Sequence, residues 1–429
     1  MERLRDSIEE LLKLNLESHI NQTPEFNLGL SKDFCINLLE EDPNDMSCHS
    51  TPTDSFVGVA HYPLYKRLAS ALYQSVKSGA FYRNYEKMVF SDEDSNLKQK
   101  EENWNKLIKE KGFELINVLE GIFCEIHVQE PYFSLLKDGR KTIEGRCATG
   151  DYIRIGPGDL ILVNKSVVLK VEDVRRYSSF SKMLQAESLE QVLPGAKTVE
   201  EGVKIYRKFY TEEKEMSNGV LAIFVSKLAA QPYLSLATIL FGSSYGGVQS
   251  LLGLADTGGT VSNALPPPRS TLLSSFISLY NPNIKGSALT HGARALAKHA
   301  QRSSDGYWGV LGGSDSTKNR LAMDVIDRLI ASCCWSNIHI VPQHGAVFEI
   351  RVADGYGARW SKDGTKDFLN HTWKMVTQRD GSISLREGSF LLASLNRIEA
   401  AYRAYKMECE TCVSLPVVWQ LEIVFENVD

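Results

Sequence analysis

The sequence predicts a mixed α+β protein with a small β-rich unit between a helical region and a second, smaller α+β unit. Apolar residues recur at helical spacing through residues 1–120. Short strand-like segments divided by glycine, proline and aspartate fill residues 121–230. Helical and strand-like segments then alternate in residues 286–362. A chain of 429 residues is long enough for two or three such domains.

Composition excludes several classes of protein. Hydrophobic residues make up 43% of the chain and charged residues 24%, which is typical of globular proteins. The net charge of −5 gives no overall attraction to nucleic acid, so nucleic-acid binding requires a local basic patch. No apolar run is long enough to cross a membrane, and the acidic, amphipathic start does not resemble a secretory signal. The eight scattered cysteines predict a reducing compartment, cytoplasmic and/or nuclear.

Residues 1–120 are predicted to form a helical region. Leu64, Leu68, Leu72 and Val76 lie four apart, and the apolar residues of the first helix recur at similar spacing. None of the polar residues in this region has catalytic spacing. We therefore expect a helical module that packs against the rest of the chain or binds a protein partner.

Residues 121–230 carry short strands and three short helices. The predicted strands are "CEIHV", "KTIEGRC", "YIRIG", "DLILVN", "VVLKVEDVRRY" and "GVLAIFVSKL". The predicted helices are "PYFSLLKD", with Pro131 in its first turn, and two more near 180–187 and 199–210. This order suits a small, partly closed β-barrel with helices at one end.

The rest of the chain divides into three segments. Residues 231–285 are rich in Gly, Ser and Pro and are predicted to form a linker with short helical pieces. Residues 286–362 predict a small α+β unit, and residues 363–429 an extension whose fold the sequence does not define. The lone Cys409-x-x-Cys412 pair lacks the second pair that a zinc site usually needs. No metal site and no cofactor are predicted.

The stretch "LLKDGRKTIEGR" at 135–146 concentrates polar side chains at the start of a strand. Because side chains alternate along a strand, Thr142, Glu144 and Arg146 share one face, and Glu144 can pair with Arg146. Arg140 and Lys141 stand beside the flexible Gly139 and can reach the same opening. Such a cationic corner with one orienting carboxylate suits a phosphate or a base edge. The alternative is an ordinary ion-pair ladder on a surface strand.

The same residues carry a family resemblance. "GRKTIEGR" matches the Gly-x-Lys-x-x-Glu-x-Arg signature of the activating signal cointegrator homology (ASCH) domains. The match extends to the preceding "EPYFSLLKDG" and to the later "SFSKMLQAESLEQVLPGAKTVEEGVKIYRKFYTEEKE" and "GVLAIFV". Residues 121–230 therefore resemble the longer ASCH subfamily. The resemblance implies a PUA-like barrel that binds RNA in the cleft between barrel and helices, with Lys141, Glu144 and Arg146 at the cleft.

Some relatives in this family resemble enzymes, which suggests a second function. In the bacterial acetylcytidine amidohydrolases the motif lysine is kept, but a threonine proposed as the nucleophile stands where this chain has Glu144. A carboxylate cannot repeat that chemistry, although it can serve as a general base. The candidates for a hydrolase acting on a modified nucleoside or RNA are then Lys141 and Glu144 as an acid–base pair, with Thr142 as a displaced nucleophile.

A second contributor to the cleft is predicted in "IYRKFYTEEKE". Tyr206 and Tyr210 lie four apart on a helix and offer rings on which a base can stack, with Lys214 adding a positive charge beside them. The alternative is that both rings pack into the barrel end and their hydroxyl groups bond to the backbone. We favour this alternative for Tyr206 and leave Tyr210 open.

The C-terminal unit contains a further candidate in "FEIRVADGYGARW". Glu349 and Arg351 share a strand face, and a glycine-rich turn leads to further polar and aromatic residues. Exposed arginines beside aromatic rings can bind a phosphate and stack a base. The secondary candidates for binding are Arg351, Tyr356, Arg359 and Trp360. The alternative is a core tryptophan beside a buried turn.

Three functions follow, in this order of preference. The first is an RNA-binding or modified-nucleotide-binding protein, the second a hydrolase, and the third an adaptor resembling a transcription coactivator that binds proteins through its N-terminal helices. The segment after residue 287 resembles that of plant ASCH proteins of similar length, and the resemblance implies no activity for it.

Overall fold

The computed structural model describes residues 2–365 except 24–25, 46–56, 83–94, 258, 285, 287, 301–306 and 343. The predicted extension after residue 365, with its Cys409 and Cys412, therefore lies outside the described residues. Within them the chain is a mixed α+β protein, as predicted.

The N-terminal region consists of helices. They are α1 (Glu2–Ile20), α2 (Lys32–Leu39), α3 (Leu64–Ser78), α4 (Ser95–Leu107) and α5 (Phe113–Glu120), with a π-helical turn at Ile108–Gly112. α1 lies against α3 because its apolar stripe, which includes Ile8, Leu11 and Leu12, is fully buried. The predicted helical region is confirmed.

The middle of the chain forms a five-stranded sheet. Its strands are β1 (Ile122–Ile126), β2 (Ile143–Cys147), β3 (Leu160–Val163), β4 (Val167–Tyr177) and β5 (Val220–Lys227). The strand order is β1-β3-β4-β5-β2, in which only the β1–β3 pair is parallel. Helices α6 (Tyr132–Lys137), α7 (Phe180–Ala186), α8 (Leu189–Val192), α9 (Val199–Tyr206) and α10 (Glu212–Asn218) connect the strands.

Two predictions for this unit need correction. The sheet does not close into a barrel, because β1 and β2 are its two edges and no backbone ladder joins them among the described residues. The predicted strand "YIRIG" is instead a 3₁₀-helix at Gly150–Arg154. Gly150 adopts a φ of 57° there and Ile153 is half-exposed, so the alternation that suggested a strand does not reflect burial on one face.

The predicted linker contains helical segments, as expected, and the first of them is long. α11 (Pro232–Leu251) follows β5, is kinked at Ser244, where φ is 54°, and has most of its residues buried. Gln231 fastens the start of this helix to β4, since its side-chain amide donates to Val168 O at 2.8 Å and its Oε1 accepts from Val168 N at 3.0 Å. Glycines that suggested flexibility allow close packing, because a Cβ at Gly247 would lie 3.2 Å from the Trp104 ring. Helical region, α11 and sheet share one hydrophobic core.

The C-terminal unit places helices on one face of a three-stranded antiparallel sheet. The helices are α12 (Arg269–Ile277), α13 (His291–Ala300) and α14 (Asp315–Ser332); the strands are β6 (Trp335–Val341), β7 (Gly345–Arg351) and β8 (Gly357–Ser361). Phe348 and Trp360 are buried in a core of their own with α12 and α14. The α+β character of this unit agrees with the sequence, while the exact domain boundaries stay predictions.

Two further observations concern the described residues alone. None of their helices combines the length and apolar character needed to cross a membrane. Across the same residues, no three His, Cys, Asp or Glu side chains are grouped so that they could hold a metal ion.

Candidate functional site

Edge strand β2 brings together the polar side chains predicted from "GRKTIEGR". Glu144 lies between two cations: its Oε2 is 3.1 Å from Lys141 Nζ and its Oε1 is 3.0 Å from Arg146 Nε. Burial alone raises the pKa of the Glu144 carboxyl, but the charges of Lys141 and Arg146 outweigh burial and lower that pKa overall. Glu144 is therefore an ionised, acceptor-only group.

Lys141 is a buried clamp. Its Nζ donates to the backbone oxygens of Ile143, at 2.6 Å, and of Val192, and it also contacts Glu144. An ammonium group has three protons, so all of its donors are in use. Lys141 is only 2% exposed. The side chain thus holds Glu144 in place and joins α8 to β2, rather than offering a donor to a ligand.

Arg146 is oriented on three sides. Its Nη2 donates to His127 O at 2.7 Å, its Nε faces Glu144, and its guanidinium carbon lies 5.7 Å from the centre of the Tyr152 ring. Burial opposes the charged form, but Glu144 raises the pKa of Arg146 overall. The guanidinium is a fixed cation whose remaining N–H groups can bind an acceptor.

These side chains line a pocket of about 280 Å³. Its lining includes Glu144, Gly145 and Arg146, together with four aromatic side chains, Tyr132, Tyr206, Phe209 and Tyr210. A pocket with apolar walls and a few convergent polar groups is typical of a site for a small ring-shaped ligand.

Tyr206 contributes a buried polar group to this pocket. Its ring stacks on Phe180 with centroids 4.0 Å apart, as the packing alternative expected. The hydroxyl, however, has no hydrogen-bond partner among the described residues, and water has little access to it because Tyr206 is only 6% exposed. Burial raises the pKa of Tyr206 well above its usual value, so the group remains a neutral donor. An acceptor atom of a ligand in the pocket would give this hydroxyl the hydrogen bond that it lacks.

Gly145 makes the close approach of Tyr206 to β2 sterically feasible. A Cβ at this position would lie 2.8 Å from Tyr206 Cζ and 2.9 Å from Met183 Cε. Any larger residue at 145 would push the tyrosine and the helix that carries it away from the strand. The glycine of the motif therefore sets the shape of the pocket.

Not every predicted residue lies in the pocket. Arg140 points into solvent with its side chain 67% exposed and pairs with Asp138 at 3.2 Å. Neither Arg140 nor Thr142 lines the pocket. Lys214 lies outside too, with its Nζ 5.8 Å from the centre of the Tyr210 ring, while Tyr210 itself does form part of the wall. The sequence did not single out four further pocket-lining residues, His127, Gln129, Tyr132 and Phe209, although Tyr132 and Phe209 lie within the quoted stretches "PYFSLLKD" and "IYRKFYTEEKE".

A second polar cluster lies on the sheet of the C-terminal unit. Glu349, fully buried on β7, accepts from Arg351 Nε at 2.7 Å and from Arg359 Nε at 2.7 Å. His339 Nε2 lies 3.1 Å from Glu349 Oε2. Burial opposes ionisation, but His339 and the two arginines lower the pKa of Glu349 to about 2. One buried carboxylate thus orients two guanidinium groups and an imidazole.

The secondary candidates divide between this cluster and the core. Arg351 and Arg359 belong to the cluster, and the Arg351 guanidinium also lies 5.0 Å from the centre of the Trp335 ring. Tyr356 and Trp360 are buried, and Trp360 Nε1 donates to Leu272 O at 3.3 Å. Trp360 therefore packs in the core of this unit. His339 was missed because the pairing of β6 with β7, which brings it to Glu349, leaves no local signal in the sequence.

Comparisons with known proteins point to the same two regions. The family model of the CdiA C-terminal tRNase toxin domain matches residues 280–370, which contain the Glu349 cluster. A comparison with proteins of curated function returned no match.

Solved structures similar to the middle of the chain include two small proteins. The crystal structure of hypothetical protein PH0355 is 46% identical and covers 24% of this chain and 98% of that protein, with a TM-score of 0.24. The solution NMR structure of protein PF0455 from Pyrococcus furiosus is 43% identical and covers 24% of this chain and 96% of that protein, with a TM-score of 0.23.

The family model of the ASCH domain matches residues 126–229, the stretch that holds the five-stranded sheet, its helices and the pocket. The motif predicted from "GRKTIEGR" lies at the centre of that match. The chain therefore carries an ASCH domain at residues 126–229.

Proposed function

We propose that this protein binds RNA through its ASCH domain, with one unpaired nucleobase, or a modified nucleoside, held in the pocket over Gly145. The observation that carries the proposal is the fixed Glu144–Arg146 pair among four aromatic side chains. Glu144 requires a donor from the ligand, while Arg146 and Tyr206 offer donors to its acceptors. Bases in single-stranded RNA expose such edges and stack on aromatic rings.

The proposal is tested by binding of short fluorescent single-stranded RNAs to the full-length protein, measured by anisotropy across a salt series. The full chain is needed because α11 and the helical region complete the core of the ASCH sheet. The test variant is Arg146→Ala. The matched control is Arg140→Ala, which removes the same charge from an exposed side chain six residues earlier in the sequence.

Arg146→Ala should weaken binding about 10- to 100-fold, since hydrogen bonds to charged groups contribute about 1.5–3 kcal/mol. Arg140→Ala should weaken it far less, through a loss that salt screens. Equal losses in the two variants, or no binding by the wild type, would show that the pocket does not hold RNA.

A hydrolase that uses Lys141 and Glu144 as an acid–base pair receives less support. Lys141 has no spare donor, and Glu144 is kept ionised by two cations, which makes it a weak base. An adaptor that recruits proteins through its N-terminal helices also receives little support, because the apolar face of α1 is buried and is not free to bind a partner.

A second candidate function, cleavage of RNA by the C-terminal unit, is favoured by the Glu349 cluster. Three side chains meet on one face of the sheet: His339, Arg351 and Arg359. Each of them is 13–19% exposed, so solvent reaches all three. An imidazole can exchange a proton with a ribose hydroxyl, and two guanidinium groups can stabilise charge on a phosphodiester. The family match to a tRNase toxin domain supports the same substrate class.

Cleavage is tested by incubating the full-length protein with total tRNA in the presence of EDTA and resolving the products on a denaturing gel. We expect cleavage by the wild type and by Arg320→Ala, which changes an exposed arginine on α14, and none by His339→Ala. Activity that persists in His339→Ala, or that EDTA abolishes, contradicts the proposal.

A location in the cytoplasm or nucleus, an origin in plants and membership of the PUA-like superfamily stay predictions from the sequence.

A further inference from the structure

Glu349 is saturated with donors. Its Oε1 accepts from Arg351 Nε at 2.7 Å and Nη2 at 2.6 Å, and its Oε2 accepts from Arg359 Nε at 2.7 Å and Nη2 at 2.5 Å. His339 adds a fifth donor. A carboxylate offers about four lone-pair sites, so none remains for a substrate hydroxyl. Being fully buried as well, Glu349 has neither the access nor the free lone pair that a general base needs.

The contact with Glu349 fixes the tautomer of His339. An ionised carboxylate only accepts, so the proton of neutral His339 resides on Nε2, which faces Glu349. The unprotonated nitrogen of the ring is then Nδ1, on the side away from Glu349. No described residue supplies a hydrogen bond to Nδ1. The free lone pair of the cluster is therefore on His339.

The two arginines present their other edges outward. Each binds Glu349 through Nε and Nη2, which leaves the Nη1 group and the second Nη2 proton for another acceptor. Trp335 supports the Arg351 guanidinium with its ring 5.0 Å away. Glu349, Arg351 and Arg359 together carry a net charge of one positive unit. This charge complements a single phosphodiester anion.

We propose that the cluster is a metal-independent phosphodiester site in which Arg351 and Arg359 hold the phosphate, His339 Nδ1 transfers the proton, and Glu349 is a positioning residue only. This inference rests on the proposed cleavage of RNA. Nδ1 accepts the proton of the ribose 2′-hydroxyl, the 2′-oxygen forms a bond to phosphorus, and the bond from phosphorus to the 5′-oxygen breaks. The 5′-oxygen takes a proton from water and His339 returns its own to solvent, which leaves a 2′,3′-cyclic phosphate.

One proton-transferring group predicts a characteristic pH profile. The cleavage rate of the full-length protein should rise with pH to a plateau with a single ionisation, because only His339 must be neutral. Glu349→Gln should lower kcat about 10- to 100-fold while the single-ionisation shape is kept. His339→Ala should lose at least about 100-fold at every pH, the usual size of a general acid–base contribution.

Inorganic phosphate supplies a readout that does not require turnover. With histidines labelled for NMR, phosphate should shift the imidazole resonances of His339 in the wild type and in Arg320→Ala, and not in the Arg351→Ala, Arg359→Ala double variant. If RNA is not cleaved but phosphate still shifts His339, the cleavage proposal fails while the phosphate site stands.

Other outcomes overturn the inference while leaving RNA cleavage intact. A bell-shaped profile whose acidic limb disappears in Glu349→Gln would make Glu349 the base. A product ending in a 2′-hydroxyl rather than a cyclic phosphate would exclude attack by the 2′-oxygen. No shift of His339 with phosphate would remove Arg351 and Arg359 as its binding groups.

Discussion

Replacing Glu349 by glutamine should destabilise the C-terminal sheet by about 3 kcal/mol. The pKa of Glu349 is about 2, against an ordinary value of 4.5. One pKa unit corresponds to about 1.4 kcal/mol, so the ionised carboxylate contributes about 3 kcal/mol to stability at neutral pH. The same loss can be stated from the side of Arg351 and Arg359, which would be left without a compensating charge, and breaking a buried pair in this way costs a similar amount, about 3–5 kcal/mol.

The sign of the effect defines its pH range. Because the folded-state pKa is lowered, the stabilisation is fully present above about pH 4.5 and is lost as the pH falls toward 2. At pH 3 about half of it should be gone in the wild type. The Glu349→Gln variant should show no corresponding loss over this range.

Amide hydrogen exchange followed by mass spectrometry measures the effect locally. At pH 6, peptides from β6, β7 and β8 of Glu349→Gln should exchange about 100-fold faster than in the wild type, since 1.4 kcal/mol corresponds to a factor of ten. Peptides from β5 serve as an internal reference, and Glu120→Gln, at an exposed position, as the control. Equal exchange of the β7 peptides in wild type and Glu349→Gln would refute the reasoning.

Three further predictions concern other parts of the chain. Gly145→Ala should reduce RNA binding at least as much as Arg146→Ala, because the added Cβ displaces Tyr206. Anisotropy titrations measure this loss, and an unchanged affinity of Gly145→Ala contradicts the prediction. Gln231→Ala should lower the midpoint of urea unfolding by removing buried bonds to β4, a loss of about 2–3 kcal/mol, and an unchanged midpoint contradicts this. Cys35 and Cys333, whose pKa values burial raises to about 12, should resist iodoacetamide at pH 8 until the protein is unfolded, as read by mass spectrometry.

The sequence predicts the ASCH region well because its signals are local. Glu144 and Arg146 stand two apart on a strand, so alternation alone places them on one face, and the structure has their ion pair at 3.0 Å. The sequence does not show that all three donors of Lys141 are engaged, with Ile143 O, Val192 O and Glu144. That arrangement depends on where α8 returns to β2, which is a tertiary contact.

The predictions failed where one residue type is found in two kinds of structure, as glycine is in both flexible loops and tightly packed helices. Gly and Ser near 242–247 predict a linker with short helical pieces, but in α11 they let Trp104 and neighbouring side chains approach the helix backbone. The strand β8 was missed because the glycine-rich turn that precedes it masks its alternation. With β8 absent, the approach of Arg359 to Glu349 could not be foreseen.

The continuity of the core between α1, α11 and the ASCH sheet has a thermodynamic consequence. Asn15 on α1 donates to Tyr233 O at 3.0 Å on α11, and α11 in turn is joined to β4 through Gln231. Parts that share a core in this way unfold together, so stabilisation of one is transmitted to the others. A ligand that occupies the pocket over Gly145 should therefore raise the melting temperature of the N-terminal helices, although it touches none of them.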